Sequence, residues 1–167
     1  GTTFEGGVRV PFIARWPDHI TAGSTCHAVG ALFDLLPTFA EITQANLSSN
    51  TLDGKSILPL LLGKSTQASR EVHYYFQINE LQAVRKGKWK LHFPHTYEHV
   101  TESGKNGERG KTTSIQLDLS LFDLEADPAE QKNVGPQHPE IVKALKVLGE
   151  NFKSEIIQNK RQPGKSF

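Results

Sequence analysis

The chain has one cysteine, no methionine, two tryptophans and no apolar run long enough to cross a bilayer. Cys26 has no partner for an internal disulfide, and a single thiol says little about redox compartment. Charge of one sign is lacking too. Nineteen Lys and Arg stand against eighteen Asp and Glu, a formal net charge of +1, so nothing points to nucleic acid or a charged membrane surface as a partner. There is no internal repeat and no low-complexity tract. Without a G-x-S-x-G elbow, a serine-hydrolase triad has no nucleophile to build on. Gly54-Lys55-Ser56, Gly63-Lys64-Ser65, Gly110-Lys111-Thr112 and Gly164-Lys165-Ser166 each mimic the end of a phosphate-binding loop. None has a glycine five positions earlier, and all read as turns.

What is present begins at once. Gly1-Thr2-Thr3-Phe4-Glu5-Gly6-Gly7-Val8-Arg9-Val10-Pro11 is a glycine-rich turn that breaks into apolar sequence, with no initiator Met before it. Adjacent glycines allow positive φ and close backbone approach, which suits a loop packed under a pocket. A chain opening inside such a motif is expected to be the tail of something larger. With 167 residues and 37% hydrophobic content it can hold one modest core or pieces of two.

Periodicity then suggests two sections. Val8, Val10, Phe12, Ala14 and Trp16 alternate onto one face, a strand that Pro11 confines to an edge or bulge. Asp34 reads as a helix N-cap, with Pro37 in the first turn and Phe39 and Ile42 one turn apart. Gln44 to Ser56 is polar and turn-rich, with a tight turn at Asp53-Gly54, and a module boundary falls near residue 66. Beyond it, Val72 to Phe76, Leu81 to Arg85 and Trp89 to Phe93 read as short strands, the last two joined by a Lys86-Gly87-Lys88 hairpin. Ile115, Leu117, Leu119 and Leu121 alternate as one further strand. Pro139 opens a helix over about 139–158 whose Ile141, Leu145, Leu148, Phe152 and Ile156 form a stripe for packing across the sheet. Gly149 within it costs about 1 kcal/mol against Ala. Asn159 to Phe167 is polar and basic, and fraying is expected there.

Pro94 to Ser114, with three glycines and many charges, reads as a functional loop or a disordered one. His92, His95 and His99 lie close together, but no H-E-x-x-H pattern accompanies them and one distant Cys does not complete a tetrahedral set. Hydrogen bonding to an anionic substrate suits them better than a metal does, beside the plainer reading of sheet-edge histidines. Asp123, Glu125 and Asp127 read as solvated charges, and Asp127-Pro128 as a turn. Asn46-Leu47-Ser48 fits a glycosylation sequon, with chance occurrence the simpler reading.

Several blocks, in order, carry a resemblance. Gly1 to Pro11, Arg15-Trp16-Pro17 with Gly23, Asp34-Leu35-Leu36-Pro37-Thr38, Leu52-Asp53-Gly54, Leu58 to Gly63, Ala83-Val84-Arg85 with Gly87-Lys88-Trp89-Lys90, and Leu121-Phe122-Asp123-Leu124 running into Asp127-Pro128-Ala129-Glu130 span nearly the whole chain. Together they resemble the C-terminal part of the sulfatase family, of the arylsulfatase A and N-acetylgalactosamine-6-sulfatase type.

The resemblance implies an α/β, alkaline-phosphatase-like fold. Residues 1–66 would be the end of the large catalytic domain, and residues 67–167 a small antiparallel sheet packed on a C-terminal helix. It implies sulfate-ester hydrolysis by a formylglycine nucleophile with a divalent cation, usually calcium, both belonging to the full-length enzyme. Cys26, followed by His27-Ala28-Val29-Gly30, lacks the Pro/Ala and Arg of the formylglycine motif and is not the nucleophile.

This portion would hold neither catalytic residue nor metal ligand, and alone would be inactive. Thr2, Thr3, Glu5, Gly6, Gly7 and Arg9 would back the pocket, with Glu5 and Arg9 in ion pairs to an N-terminal catalytic domain. His95 and His99 would border a sulfated small molecule or glycan. A secreted, periplasmic or lysosomal location follows from the family. The alternative is a non-catalytic module binding sulfated glycans through Arg85, Lys88, Lys90, His95 and His99.

Overall fold

The structure is a computed structural model that describes residues 2–47 and 52–159. It contains two compact units, one of Gly1–Val10 with Val72–Phe167, the other of Pro11–Glu71. The first ten residues thus pack with the later sheet, whereas the sequence boundary near 66 grouped them with residues 11–66. None of the described helices is long and apolar enough to cross a membrane.

The larger unit is built on a four-stranded antiparallel sheet, β1 (Val72–Gln77), β2 (Glu80–Lys86), β3 (Trp89–His92) and β6 (Ser120–Asp123), in that spatial order. Gly87, at φ 59°, makes the β2–β3 turn in the left-handed region where glycine carries no Cβ penalty. Register fixes which residues share a face. Tyr74, Val84, Leu91 and Leu121 sit side by side across the four strands. Their immediate neighbours Tyr75, Ala83, His92 and Ser120 therefore point the other way, with His73, Arg85, Lys90 and Phe122 beside them. A bulge at Tyr75/Phe76 leaves Gln82 unpaired and shifts the phase, so that Leu81 joins Val84 in the apolar core.

That apolar face is covered by helix α4 (Pro139–Asn159). Leu145 is buried with Leu81, Val84, Leu91, Phe93 and Leu121; Ile141 and Leu148 pack at its margin. Phe152 stacks on Tyr74 with ring centroids 3.7 Å apart. Gly149 has a clear reason to be there. A Cβ at this position would sit 2.4 Å from the Phe93 ring, so the glycine lets the helix approach the sheet.

Two sequence expectations change here. Ile115 to Leu121 is not one strand but two: β5 (Lys111–Leu117) ends before Asp118, and β6 restarts at Ser120 in the main sheet. Pro94 to Ser114 is not a structureless loop either. β4 (His95–Glu102) pairs with β5 as a two-stranded antiparallel ribbon, which sequence pattern hides because most of its residues are exposed on both faces and lack hydrophobic alternation. Residues 160–167, and Ser48 of the sequon, lie outside the described residues.

The unit of Pro11–Glu71 holds a 3-10 turn (Leu32–Asp34), helix α2 (Leu35–Thr43) and the short helix α3 (Leu58–Leu61). Val8 to Trp16 is not a strand. Glu5–Val8 forms a single helical turn, α1, and Pro11 to Trp16 is irregular, with Phe12 and Ile13 exposed. Asp34 precedes α2 but does not cap it through its side chain. Its buried carboxylate instead accepts the N–H groups of Ala31 and Lys55 and pairs with Arg70, tying three segments together. Gly54 fits because a Cβ there would lie 2.1 Å from the Phe33 carbonyl oxygen.

Candidate functional site

The sheet face opposite α4 is polar, and the opening segment lies on it. Lys90 is fully buried. As a residue of interior strand β3 its ammonium cannot reach water, so each of its three N–H bonds needs an acceptor. It donates to the Thr3 carbonyl at 2.7 Å and to Glu5 Oε1 at 2.9 Å, and its charge pairs with Glu130 Oε1 at 3.0 Å. The same ammonium stands 4.6 Å from the centroid of the Tyr75 ring. Arg85 adds a second cation, 3.5 Å from Glu5 Oε2. Two cations thus face two carboxylates, the only economical way to keep four charges in such a place.

Glu130 joins the sheet to the opening segment. One of its oxygens accepts from His92 Nε2 at 2.8 Å and pairs with the Lys90 charge, and the other accepts the backbone N–H of Glu5. Its backbone is left-handed, at φ 54°, a conformation that costs a non-glycine residue about 1 kcal/mol. Burial pushes the Glu130 carboxyl up, but the His92 hydrogen bond, the Lys90 charge and the Glu5 N–H together hold it below its ordinary value. Burial pushes the His92 imidazole down, and Lys90 and His95 add to that against the pull of Glu130. Burial, with Glu5 nearby, raises the Tyr75 phenol to about 12.

Hydrogen-bond partners also fix the tautomers. Carboxylates and carbonyls only accept, so His92 carries its proton on Nε2 toward Glu130, and His95 carries its own on Nδ1 toward the Phe93 carbonyl, 2.7 Å away. The remaining nitrogens, His92 Nδ1 and His95 Nε2, are buried and without a hydrogen-bond partner. Phe4 stacks on His92 at 4.5 Å and meets Tyr97 at 4.8 Å, closing the segment over the imidazoles. Thr3 Oγ1 donates to Gln82 Oε1 at 3.1 Å, the side chain that the bulge turns toward this face.

The residues expected to form a site are brought together in part. Thr3, Glu5 and His95 are buried, and Thr2 is half-buried. Gly6, Gly7, Arg9 and His99 are exposed. A Cβ on Gly7 would stand 2.3 Å from the Thr2 carbonyl, so this glycine lets the turn close. Glu5 does not wait for a charge from elsewhere. Lys90 and Arg85 of the same chain compensate it, while Arg9 has no salt bridge among the described residues. Lys90 has no surface to offer a glycan, and Lys88 is engaged by Asp123 at 2.7 Å. Sequence reasoning did not single out Glu130, His92 and Gln82 as partners of the opening segment. A charged residue inside the alternating run Trp89-Lys90-Leu91-His92 was the one available signal.

Comparison with known proteins identifies the family. A family model described as the C-terminal region of aryl-sulfatase matches residues 68–166, and one described as N-sulphoglucosamine sulphohydrolase, C-terminal, matches residues 2–102. The chain belongs to the sulfatase family. Bovine arylsulfatase A is 37% identical over 166 residues, covering 91% of this chain and 32% of that protein. Mouse N-acetylgalactosamine-6-sulfatase is 37% identical over 145 residues, covering 78% and 27%. A solved structure concerned with metabolism of multiple glycosaminoglycans by Bacteroides thetaiotaomicron superposes with a TM-score of 0.72 at 31% identity, over 92% of this chain and 31% of that one. The sulfatase sequence in hand thus spans about a third of its relatives' length, and its α/β architecture is theirs.

Formylglycine and calcium do not fit the residues present. Cys26 is exposed and its following residues lack the modification motif. Among the described residues no group of three or more His, Cys, Asp or Glu is gathered to hold a metal ion. The carboxylates of Glu5 and Glu130 are engaged by Lys90, Arg85 and His92.

Proposed function

We propose that this chain is the C-terminal portion of a sulfuric ester hydrolase and that its opening segment forms part of the wall of the reaction pocket. Thr2, Thr3, Glu5, Gly6, Gly7 and Arg9 serve as scaffold, while His95 and His99 sit at the substrate rim. The N-terminal catalytic domain supplies the formylglycine nucleophile and the calcium. The substrate is a sulfated small molecule or glycan, and the enzyme works in a secreted, periplasmic or lysosomal setting.

The observation that carries this reading is the match of two sulfatase C-terminal models across residues 2–166, with the opening motif held on the sheet by Lys90 and Glu130. A wall of that kind must keep its backbone still, and a saturated buried ion network does that. His95 is held at Nδ1 by the Phe93 carbonyl, and its buried Nε2 is an acceptor, suited to a substrate hydroxyl and not to the sulfate itself.

The test is turnover of an aryl sulfate such as p-nitrophenyl sulfate. The whole enzyme should hydrolyse it and the 167-residue chain alone should not. Turnover by rigorously purified chain, or none by the whole enzyme on aryl or glycan sulfates, overturns the reading.

A further inference from the structure

The network on the polar face is neutral as it stands. Lys90 and Arg85 balance Glu5 and Glu130, and His92 is held uncharged with its Nδ1 buried and facing no acceptor. A proton arriving on that nitrogen would add an unbalanced charge beside Lys90 and find nothing to donate to. The groups that surround it come from every neighbouring element. Glu130 approaches from the loop after β6, Lys90 from β3 and His95 from β4, with ring centroids 5.5 Å apart for the two histidines. Glu5 lies in the opening segment, Arg85 on β2 reaches Glu5, and Tyr75 on β1 lies under Lys90.

The opening segment is the part of this arrangement most easily released. Thr3 and Glu5 are held through Lys90, Glu130 and Gln82, and Phe4 lies as a lid on His92 itself. The strands beneath are fixed by ladder bonds and by the apolar core on the far face.

We propose that Glu130 is the positioning residue that docks the opening segment Thr3–Glu5 on the sheet, and that protonation of His92 undoes the docking, making the segment an acid-released latch. The downward displacement of His92 agrees with a latch that stays closed near neutrality. The consequence for turnover rests on the reading above that this segment walls the pocket; the latch itself does not.

Amide hydrogen exchange of the whole enzyme, corrected for intrinsic rates, tests it. The Glu5 amide, which donates to Glu130, should lose severalfold, and at most about tenfold, in protection between about pH 7.5 and 5.5, the ceiling for one proton. In His92→Gln, which can still donate to Glu130 but cannot titrate, the protection should be flat over that range. In Glu130→Gln it should be low at both values while β2 and β3 amides stay protected. Wild-type protection of Glu5 in Glu130→Gln, or no pH dependence in the wild type, overturns the latch. Should Glu130→Gln fail to fold, the contrast between wild type and His92→Gln decides. In aryl sulfate assays kcat/KM should fall about tenfold in Glu130→Gln; a loosened segment with unchanged kcat/KM overturns the positioning role. Absence of turnover in the wild type overturns the sulfatase reading instead, and exchange still decides the latch.

Discussion

Lys90 Nζ donates to the backbone carbonyl of Thr3, 2.7 Å away and 87 residues earlier in the chain. The contact joins the opening segment to an interior strand, and it survives burial because the same ammonium also meets Glu5 and Glu130. Removing the ammonium would leave two buried carboxylates without it. Lys90→Met should therefore destabilise the fold by about 3–5 kcal/mol, the usual cost of breaking a buried pair from one side. Urea unfolding followed by far-UV circular dichroism checks this, and a loss under about 1 kcal/mol would mean the network is not buried as described.

Acid should weaken the protein in two steps. For His92, whose folded value lies below its ordinary 6.5, the unfolded chain takes up a proton first. Stability then falls as pH drops below about 6.5, by at most about 1.4 kcal/mol per pH unit for one proton. For Glu130, held below its ordinary 4.5, the stabilisation is complete above that value and is lost as pH falls through the lower folded one. Urea midpoints measured from about pH 8 to about pH 3 should show both declines, and His92→Gln should remove the first. A midpoint that rises on acidification through pH 6 would reverse the sign and defeat the assignment.

Gly149→Ala should be harmful, against the ordinary helix rule. In an exposed helix interior the change stabilises by about 1 kcal/mol. Here the new methyl meets the Phe93 ring at 2.4 Å and Val84 Cγ2 at 3.2 Å. Overpacking of that kind costs about 1–3 kcal/mol. Phe93→Leu should relieve part of it, so a double-mutant cycle of thermal midpoints should give a coupling of at least about 0.5 kcal/mol. Additive effects would show that helix and sheet are not in contact there.

The parts legible in sequence were those where burial differs between the two sides of an element. The α4 stripe, the three strands from Val72 to Phe93 and the Gly87 turn follow from spacing and turn chemistry. Val8 to Trp16 misled because alternation alone does not create a partner strand. The β4–β5 ribbon was hidden because Thr, Glu and Lys face solvent on both its sides. Of the site, the opening motif and His95 were visible, but Glu130 was not. A carboxylate before Gln131 and Lys132 looks solvated until the Asp127-Pro128 turn is seen to swing it inward at positive φ.

The unit of Pro11–Glu71 carries the last expectation. Leu32, Leu36 and Phe39 recur at spacings of four and three, so they line one side of the 3-10 turn and α2, and all are exposed, Leu32 by 73%. Ile13, in the irregular stretch before them, is 91% exposed. Opposite them Pro37 and Thr38 are buried, with Thr38 accepting the Ile57 N–H at 2.9 Å, so the helix already has an inner side and this is its outer one. If the catalytic domain covers that outer side, the 167-residue chain alone should bind an apolar-surface dye such as anilinonaphthalene sulfonate, and the whole enzyme should not. Leu36→Glu with Phe39→Glu should cut the dye signal of the isolated chain severalfold without lowering its unfolding midpoint. An isolated chain that leaves the dye dark, or a double variant that unfolds, would show that these side chains already have partners within it.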